Sequence, residues 1–318
     1  MKMIDVLTSP WAIVPEKLYE IQEVYSTHLR GAMLDASAIE AAMNKKLSSS
    51  SKNFQVVNGV AVIQIHGIIA KRMNLLTRIS GGVSSELAAK DIKFALSDSE
   101  INQILLDIDS PGGTVDGTQE LADIIYHGRD KKPIVAFSDG LMGSAAYWIG
   151  SAANKIYISG DTVQTGSIGV VASHVDYSQY EKKRGIKTTE IYAGKYKRMA
   201  SQYKPLSKEG KTMLQDRVDY LYTIFVDEIA KHRGVRTEIV LENMADGKVF
   251  IGKQGIAAGL VDGVSTFDRL IKNTSAIRSG TEGENIQREL NRFSQESKKS
   301  YNDSEFIELN KKLAERKK

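Results

Sequence analysis

Short apolar runs, glycine turns and amphipathic segments alternate through the middle of the chain. Residues 54–69 are rich in Val and Ile, 103–109 centre on the apolar run Ile104 to Leu106, and 133–137 are apolar throughout; each stretch is typical of a buried strand. Apolar residues at helical spacing follow these runs at 84–96 and through 121–125. This order predicts repeated βαβ units around a largely parallel sheet, an α/β fold.

The second half of the pattern is less regular. Short strands are predicted at 155–158, 166–171 and 188–192, and a helix at 177–184. The apolar positions of 207–232 recur at helical spacing and predict one long amphipathic helix.

Three regions follow from the changes in pattern. Residues 1–53 are predicted to form an N-terminal helical segment and linker, with Pro15 at a helix start. Residues 54–272 carry the strand and helix alternation and form the main domain. Residues 273–318 are rich in Ser, Glu, Gln, Asn and Lys, which predicts a polar tail that is partly helical or disordered.

Composition narrows the function classes. Hydrophobic residues make up 42% of 318 residues, enough for a large core, and a net charge of +4 gives little support to nucleic-acid binding. The absence of cysteine excludes disulfides, a thiol nucleophile and thiolate metal sites. We therefore expect no metal or cofactor. No apolar run approaches the roughly 20 residues of a membrane span, and the N-terminus has no signal-peptide core, so we expect a cytoplasmic protein.

Ser144 is the first candidate for chemistry. It follows the predicted strand at 133–137, stands between Gly143 and Ala145, and begins an apolar helix. A hydroxyl at such a strand-to-helix turn is uncrowded and lies at the positive end of a helix dipole, which suits a nucleophile. The alternative is an ordinary helix N-cap.

A second candidate feature is the turn that runs from Ser110 to Gly113. Two glycines after Pro111 can aim an amide N–H into a cleft, where it could hold an oxyanion. The alternative is a plain β-turn. Because this turn and Ser144 both follow parallel strands, we expect them at the same edge of the sheet.

A serine nucleophile needs a base. Among the five histidines, His174 is the strongest candidate, because it follows the predicted strand at 166–171. Lysine is the other option, and Lys195 and Lys197 lie together in a basic loop after Gly194. The alternative for that loop is a solvated basic surface.

Four motifs in this order and spacing resemble the signal peptide peptidase A family, most closely its phage capsid-assembly, protein C-like branch. They are the Ser110–Gly113 turn, Asp139-Gly140 with 143–147, Thr165 to Val170, and Ile191 to Gly194 with Lys197.

The resemblance covers roughly residues 56–270. It implies a Clp protease/crotonase-like fold and a serine endopeptidase with a Ser/Lys dyad, in which Ser144 is the nucleophile and Lys197 the base. Lys195 is the rival lysine. The oxyanion donors would be the amides of Gly113 and Ala145.

The family also implies a homo-oligomeric ring, with Ser and Lys in some members supplied by neighbouring subunits. The expected partner is a polypeptide, possibly a capsid or scaffold protein, with no nucleic acid and no membrane. The expected location is the host cytoplasm or the prohead interior.

Several alternatives stay open. One is a soluble homologue that degrades signal peptides or peptides in general. A second is a triad of Ser144, His174 and an Asp. A third is a crotonase-like acyl-thioester enzyme that needs no serine nucleophile. The last is a catalytically decayed scaffold component of a capsid.

Overall fold

A computed structural model describes residues 10–29, 54–72 and 82–272 of the chain. The strands are β1 (Trp11–Ile13), β2 (Gln55–Val57), β3 (Val60–His66), β4 (Ile69–Ala70), β5 (Val83–Ser84), β6 (Gln103–Asp109), β7 (Gly112–Thr114), β8 (Ile134–Ser138), β9 (Leu141–Gly143), β10 (Lys155–Ile158), β11 (Gln164–Gly166), β12 (Val249–Ile251) and β13 (Gly263–Val264). The helices are α1 (Pro15–Leu29), α2 (Ser85–Ser97), α3 (Thr118–Gly128), α4 (Ala145–Ser151), α5 (Ser178–Lys183), α6 (Lys208–Arg233), α7 (Thr237–Asn243), α8 (Lys253–Ala257) and α9 (Phe267–Lys272).

A six-stranded sheet forms the centre, in the order β13-β10-β8-β6-β3-β2. All its pairs are parallel except β2 with β3, which form a hairpin over Asn58-Gly59. The α/β class with a parallel sheet is confirmed. Parallel strands need crossover connections, and α2, α3 and α4 supply them.

The predicted apolar runs form the middle strands of this sheet, and other elements cover both faces of these strands. Leu105 and Val135 lie on one face in a cluster with Leu270 of α9. Ile104 and Leu106 alternate with Leu105 and pack on the other face against the larger cluster, which includes residues of α2, α3, α4 and α6. Burial on both faces explains why these strands are continuously apolar.

Two smaller sheets lie beyond the carboxyl ends of the central strands. One has the order β1-β7-β4-β5 and the other β12-β11-β9. The strand β9 pairs in parallel with β11 and ends at Gly143, one residue before Ser144. The edge at which the two candidate turns were expected to meet is therefore built from these small sheets.

Three expectations about local structure were wrong. The strand expected at 166–171 ends at Gly166, because Ser167 adopts a positive φ of 53° that no strand continues. The strand expected at 188–192 is irregular, since its residues are largely exposed and pair with no sheet. The N-terminal segment was expected to be helical, yet Trp11–Ile13 is a buried strand that pairs with β7.

One expectation about the N-terminal region is confirmed: helix α1 begins at Pro15, as predicted. The expectations for the rest of both ends of the chain cannot be compared with the structure. Residues 1–9, 30–53 and the tail 273–318 lie outside the described residues, so the three-region division stays a prediction. Within the described ranges, no helix has the length and apolarity to cross a membrane, and no three His, Asp or Glu side chains are grouped to hold a metal ion.

Candidate active site

Ser144 occupies a sharp turn between β9 and α4. Its φ of 54° and ψ of −117° lie outside the regions that L-residues ordinarily adopt. The turn is held by two backbone hydrogen bonds, from the Ser144 amide to the Gly166 carbonyl (2.7 Å) and from the Trp148 amide to the Ser144 carbonyl (2.9 Å). Strain of this kind persists where the surroundings fix it, often at a reactive residue.

The Ser144 hydroxyl makes no capping bond to helix α4. It is fully buried, and its contact is a long hydrogen bond of 3.4 Å to the Gly169 carbonyl. The N-cap interpretation therefore fails for the side chain, although Ser144 stands at the N-cap position. A hydroxyl that is not used for capping remains available for chemistry.

Helix α4 is fixed from behind by helix α6. Trp148 stacks on Phe225, with ring centroids 4.4 Å apart. One turn further, the Ser151 hydroxyl lies 2.9 Å from Nδ1 of the buried His232. Burial lowers the pKa of His232 to about 3, so the imidazole is neutral and suits this apolar setting.

Helix α6 is also joined to the central sheet by an ion pair. Arg233, the last residue of α6, pairs with the buried carboxylate of Asp262 (3.0 Å), and that carboxylate also accepts the Ile156 amide of β10. Arg233 lowers the pKa of Asp262 in spite of its burial. The turn at Ser144 thus rests on a rigid support.

The predicted oxyanion donors lie beside this turn. A methyl group built on Gly112 would be 2.3 Å from the Ala12 carbonyl oxygen and 3.0 Å from the Ala145 nitrogen. The Ala145 amide is the first of helix α4, where the helix itself supplies no acceptor. The Gly113 amide lies on β7, next to Gly112.

Glycine is required at both positions of the turn. At Gly113 an added Cβ would meet the Ile69 carbonyl oxygen at 1.8 Å, and Gly112 has a φ of 100°. The Ser110 hydroxyl fixes the turn by accepting the Gly112 amide and donating to the Gly67 carbonyl. This geometry is more specific than that of a plain β-turn.

Lys197 makes no hydrogen bond to Ser144 or to the Gly113 and Ala145 amides. It is exposed, its amide closes a turn onto the Gly194 carbonyl (3.1 Å), and its amine has no hydrogen-bond or ion-pair partner among the described residues. The loop around it is braced by Arg198, which pairs with Glu190, and by Ser201, whose hydroxyl donates to Glu190 at 2.8 Å. Within one chain, no hydrogen bond therefore joins the Ser144 hydroxyl to the Lys197 amine.

Neither of the two alternative bases is hydrogen-bonded to Ser144. The Lys195 amine lies over the Tyr196 ring, 5.4 Å from its centroid. His174 Nε2 lies 2.9 Å from the Ser201 carbonyl oxygen, on the same braced loop. No triad of Ser144 and His174 is assembled in the chain.

Two features of the site were missed in the sequence. Ser167 has a positive φ, is buried, and donates its amide to the Lys248 carbonyl, next to the Gly166 that holds Ser144. The other is strand β1, which pairs with β7 at Gly112 and Gly113. Its signal is an apolar run of four residues, Trp11 to Val14, between two prolines, which is typical of a short buried strand.

Comparison with known proteins gives a family for this geometry. The model of peptidase family S49 matches residues 127–279, which include Ser144 and Lys197. The capsid assembly protease C of Escherichia phage lambda is 34% identical over 227 residues, 71% of this chain and 50% of that protein. The head-tail preconnector protein GP5 of Enterobacteria phage P21 is 33% identical over 231 residues, 72% of this chain and 46% of its own length.

The chain thus spans about half the length of these two phage relatives. A putative signal peptide peptidase SppA of Enterococcus faecium is covered more completely: it is 30% identical over 257 residues, which are 79% of this chain and 71% of that protein. The resemblance drawn from the four motifs is confirmed, and the chain belongs to peptidase family S49.

Proposed function

We propose that this protein is a serine endopeptidase of the Clp/crotonase fold, in which Ser144 is the nucleophile and Lys197 the general base. The observation that carries the proposal is the strained, uncapped Ser144 beside the Ala145 and Gly113 amides. Membership of family S49 supports it.

In the proposed reaction, Ser144 Oγ attacks the carbonyl carbon of a peptide bond. The neutral amine of Lys197 takes the hydroxyl proton and later gives it to the leaving amine. The Gly113 and Ala145 amides hold the negative oxygen of the tetrahedral intermediate. Water then attacks the acyl-enzyme ester, with Lys197 again as the base, and releases the acid product.

We further propose that the base arrives from a neighbouring chain. In one chain, Lys197 is exposed on a loop that also carries exposed Ile191, Tyr192 and Tyr196. Exposed apolar and aromatic side chains next to a required amine suit an interface between copies in a ring. Burial of the amine at that interface would favour its neutral form.

The substrate class follows from the relatives. Two phage proteins named for capsid assembly and for head-tail connection are about one third identical to this chain. We therefore propose a polypeptide substrate from a phage or prophage capsid or scaffold, cleaved in the host cytoplasm or inside the prohead. No cofactor or metal takes part in the proposed reaction.

The test is cleavage of a co-expressed capsid or scaffold protein, followed by intact-mass analysis. Ser144→Ala should abolish processing, and Lys197→Ala should lower it by at least about 10³-fold, the scale measured for members of such units. Lys195→Ala is the matched control and should process normally. If Ser144→Ala processes at the parent rate, the proposal is wrong; if His174→Ala abolishes processing and Lys197→Ala does not, a triad replaces the dyad.

A further inference from the structure

The strand β1 lies across the candidate active site in the manner of a bound peptide. It pairs antiparallel with β7, with Trp11 opposite Thr114, Ala12 opposite Gly113 and Ile13 opposite Gly112. At its other edge, Trp11 exchanges both backbone hydrogen bonds with Val171, each 2.8 Å long. Strand β1 is thus held between β7 on one side and Val171 on the other.

The register places one carbonyl at the oxyanion donors. The Val14 amide donates to the Pro111 carbonyl, and the Val115 amide donates to the Pro10 carbonyl. Hydrogen-bonded pairs occur at every second residue of an antiparallel ladder, so Ala12 and Gly113, which lie midway between these two pairs, also form a hydrogen-bonded pair. The Gly113 amide therefore donates to the Ala12 carbonyl oxygen.

The Ala145 amide borders the same space. The position that a Gly112 Cβ would take lies 2.3 Å from the Ala12 oxygen and 3.0 Å from the Ala145 nitrogen, and no hydrogen bond joins these two atoms. A carbonyl beside these two amides is where the scissile carbonyl of a substrate must lie.

Side chains on both sides of this carbonyl fill the groove. Ala12 is fully buried, and a methyl group on Gly143, the residue before Ser144, would be 2.8 Å from a methyl of Val14. Trp11 and Ile13 pack with Leu18 in a small cluster of their own, apart from the main core. Departure of the segment would uncover this satellite cluster and remove Ala12 from the main core, but it would break no pairing of the central six-stranded sheet, to which β1 does not belong.

We propose that residues Pro10 to Val14 are an internal pseudosubstrate that closes the peptide-binding groove, with Ala12 in the position of the residue before the cleaved bond. This rests on the proposed role of Ser144. An external polypeptide must take the same place as a strand between β7 and Val171, because strand addition is how extended peptides bind such edges. The groove therefore opens only when the N-terminal segment leaves.

The absence of natural cysteine makes a direct test possible. Trp11 and Thr114 are a non-hydrogen-bonded pair, in which Cα atoms lie about 4.5 Å apart, within the range of a disulfide. The variant carrying Trp11→Cys and Thr114→Cys is oxidised, its cross-link is confirmed by mass, and cleavage of a peptide substrate is measured before and after reduction.

The oxidised double variant should lose at least about 10-fold in rate and recover on reduction, while each single variant stays insensitive to the oxidant. A cross-linked form as active as the reduced form would overturn the proposal, and so would failure of the cysteines to cross-link. Inactivity of the parent chain itself would instead count against the peptidase assignment.

A second measurement needs no catalysis. The chain has two tryptophans, so Trp148→Phe in a Ser144→Ala background leaves Trp11 as the single reporter. Titration with the peptide substrate should shift the Trp11 emission to longer wavelength in a saturable way, as the side chain moves from its buried position into water. An unchanged emission at peptide concentrations that saturate cleavage by the parent chain would contradict the proposal. A Ser144-dependent cut between Ala12 and Ile13 would support the register.

Discussion

Backbone strain at single residues organises the site. Ser144 and Ser167 both hold a positive φ without being glycine. Each is fixed by a hydrogen bond that its backbone amide donates to a carbonyl of another segment, Gly166 for Ser144 and Lys248 for Ser167. Such conformations cost of order 1–3 kcal/mol each, so the surrounding packing must supply that energy. The result is a hydroxyl and an amide whose positions are set before any substrate arrives.

At the residue scale, Gly113→Ala should disable the site. The new Cβ would meet the Ile69 carbonyl at 1.8 Å, so β7 must shift and carry the Gly113 amide away from the oxyanion. We expect a loss of roughly 10²–10³-fold in the rate of peptide cleavage, as for removal of one oxyanion donor.

Gly160→Ala is the matched control for that change. No atom lies within 4 Å of its added Cβ, so its rate and its unfolding midpoint in urea should equal those of the parent. A Gly113→Ala enzyme that cleaves at the parent rate would remove this amide from the mechanism.

At the element scale, the pair α4 and α6 holds the reactive turn in place. The stacked rings of Trp148 and Phe225 and the bond between Ser151 and His232 join the two helices. In the first half of α6 only Gly210 is buried, and the buried positions recur from Phe225 onward. The second half of the helix therefore carries the support.

Phe225→Ala should destabilise the chain by about 3–5 kcal/mol, the usual cost of removing a buried phenyl ring. Urea unfolding followed by circular dichroism measures the change. Tyr220→Ala lies on the same helix at a position that is 68% exposed, and it should change the free energy of unfolding by less than about 0.5 kcal/mol. Equal effects of the two substitutions would show that α6 does not support α4 through this contact.

The sequence predicted the elements whose residues are buried on both faces. The limits of β6 and β10 agree with the predicted strands to the residue, because both faces of their middle residues are buried and those residues are consecutively apolar. The Ser110–Gly113 turn and Ser144 were also predicted, because glycine and small residues at the ends of strands mark such turns locally in the sequence. Two features that were not predicted depend on pairing between distant parts of the chain. Strand β1 forms because it pairs with β7 on one side and with Val171 on the other. Residues 188–192 form no strand because they pair with no other described strand.

At the scale of the whole molecule, the proposed dyad of Ser144 and Lys197 is not assembled within one chain. Ser144 is fully buried, whereas Lys197 is on an exposed loop braced by Glu190 and Arg198. The two proposals act in sequence: assembly brings the base, and departure of residues 10–14 admits the substrate.

Co-expression of the Ser144→Ala and Lys197→Ala chains tests whether the base comes from a neighbour. Each variant alone should be inactive. Mixed rings should regain about a quarter of the parent activity, since one pairing in four joins an intact serine to an intact lysine. Absence of any recovery in mixed rings, confirmed as mixed by mass, would place the dyad within one chain.

The central claim is that the Ser144 hydroxyl is the reactive nucleophile. Its most direct test is labelling of the assembled protein with a small fluorophosphonate over hours, long enough for the N-terminal strand to open locally, followed by digestion and mass spectrometry. The account predicts one adduct, on Ser144, that is absent from Ser144→Ala and strongly reduced in Lys197→Ala. An adduct on another serine, or equal labelling of the Ser144→Ala chain, would contradict it.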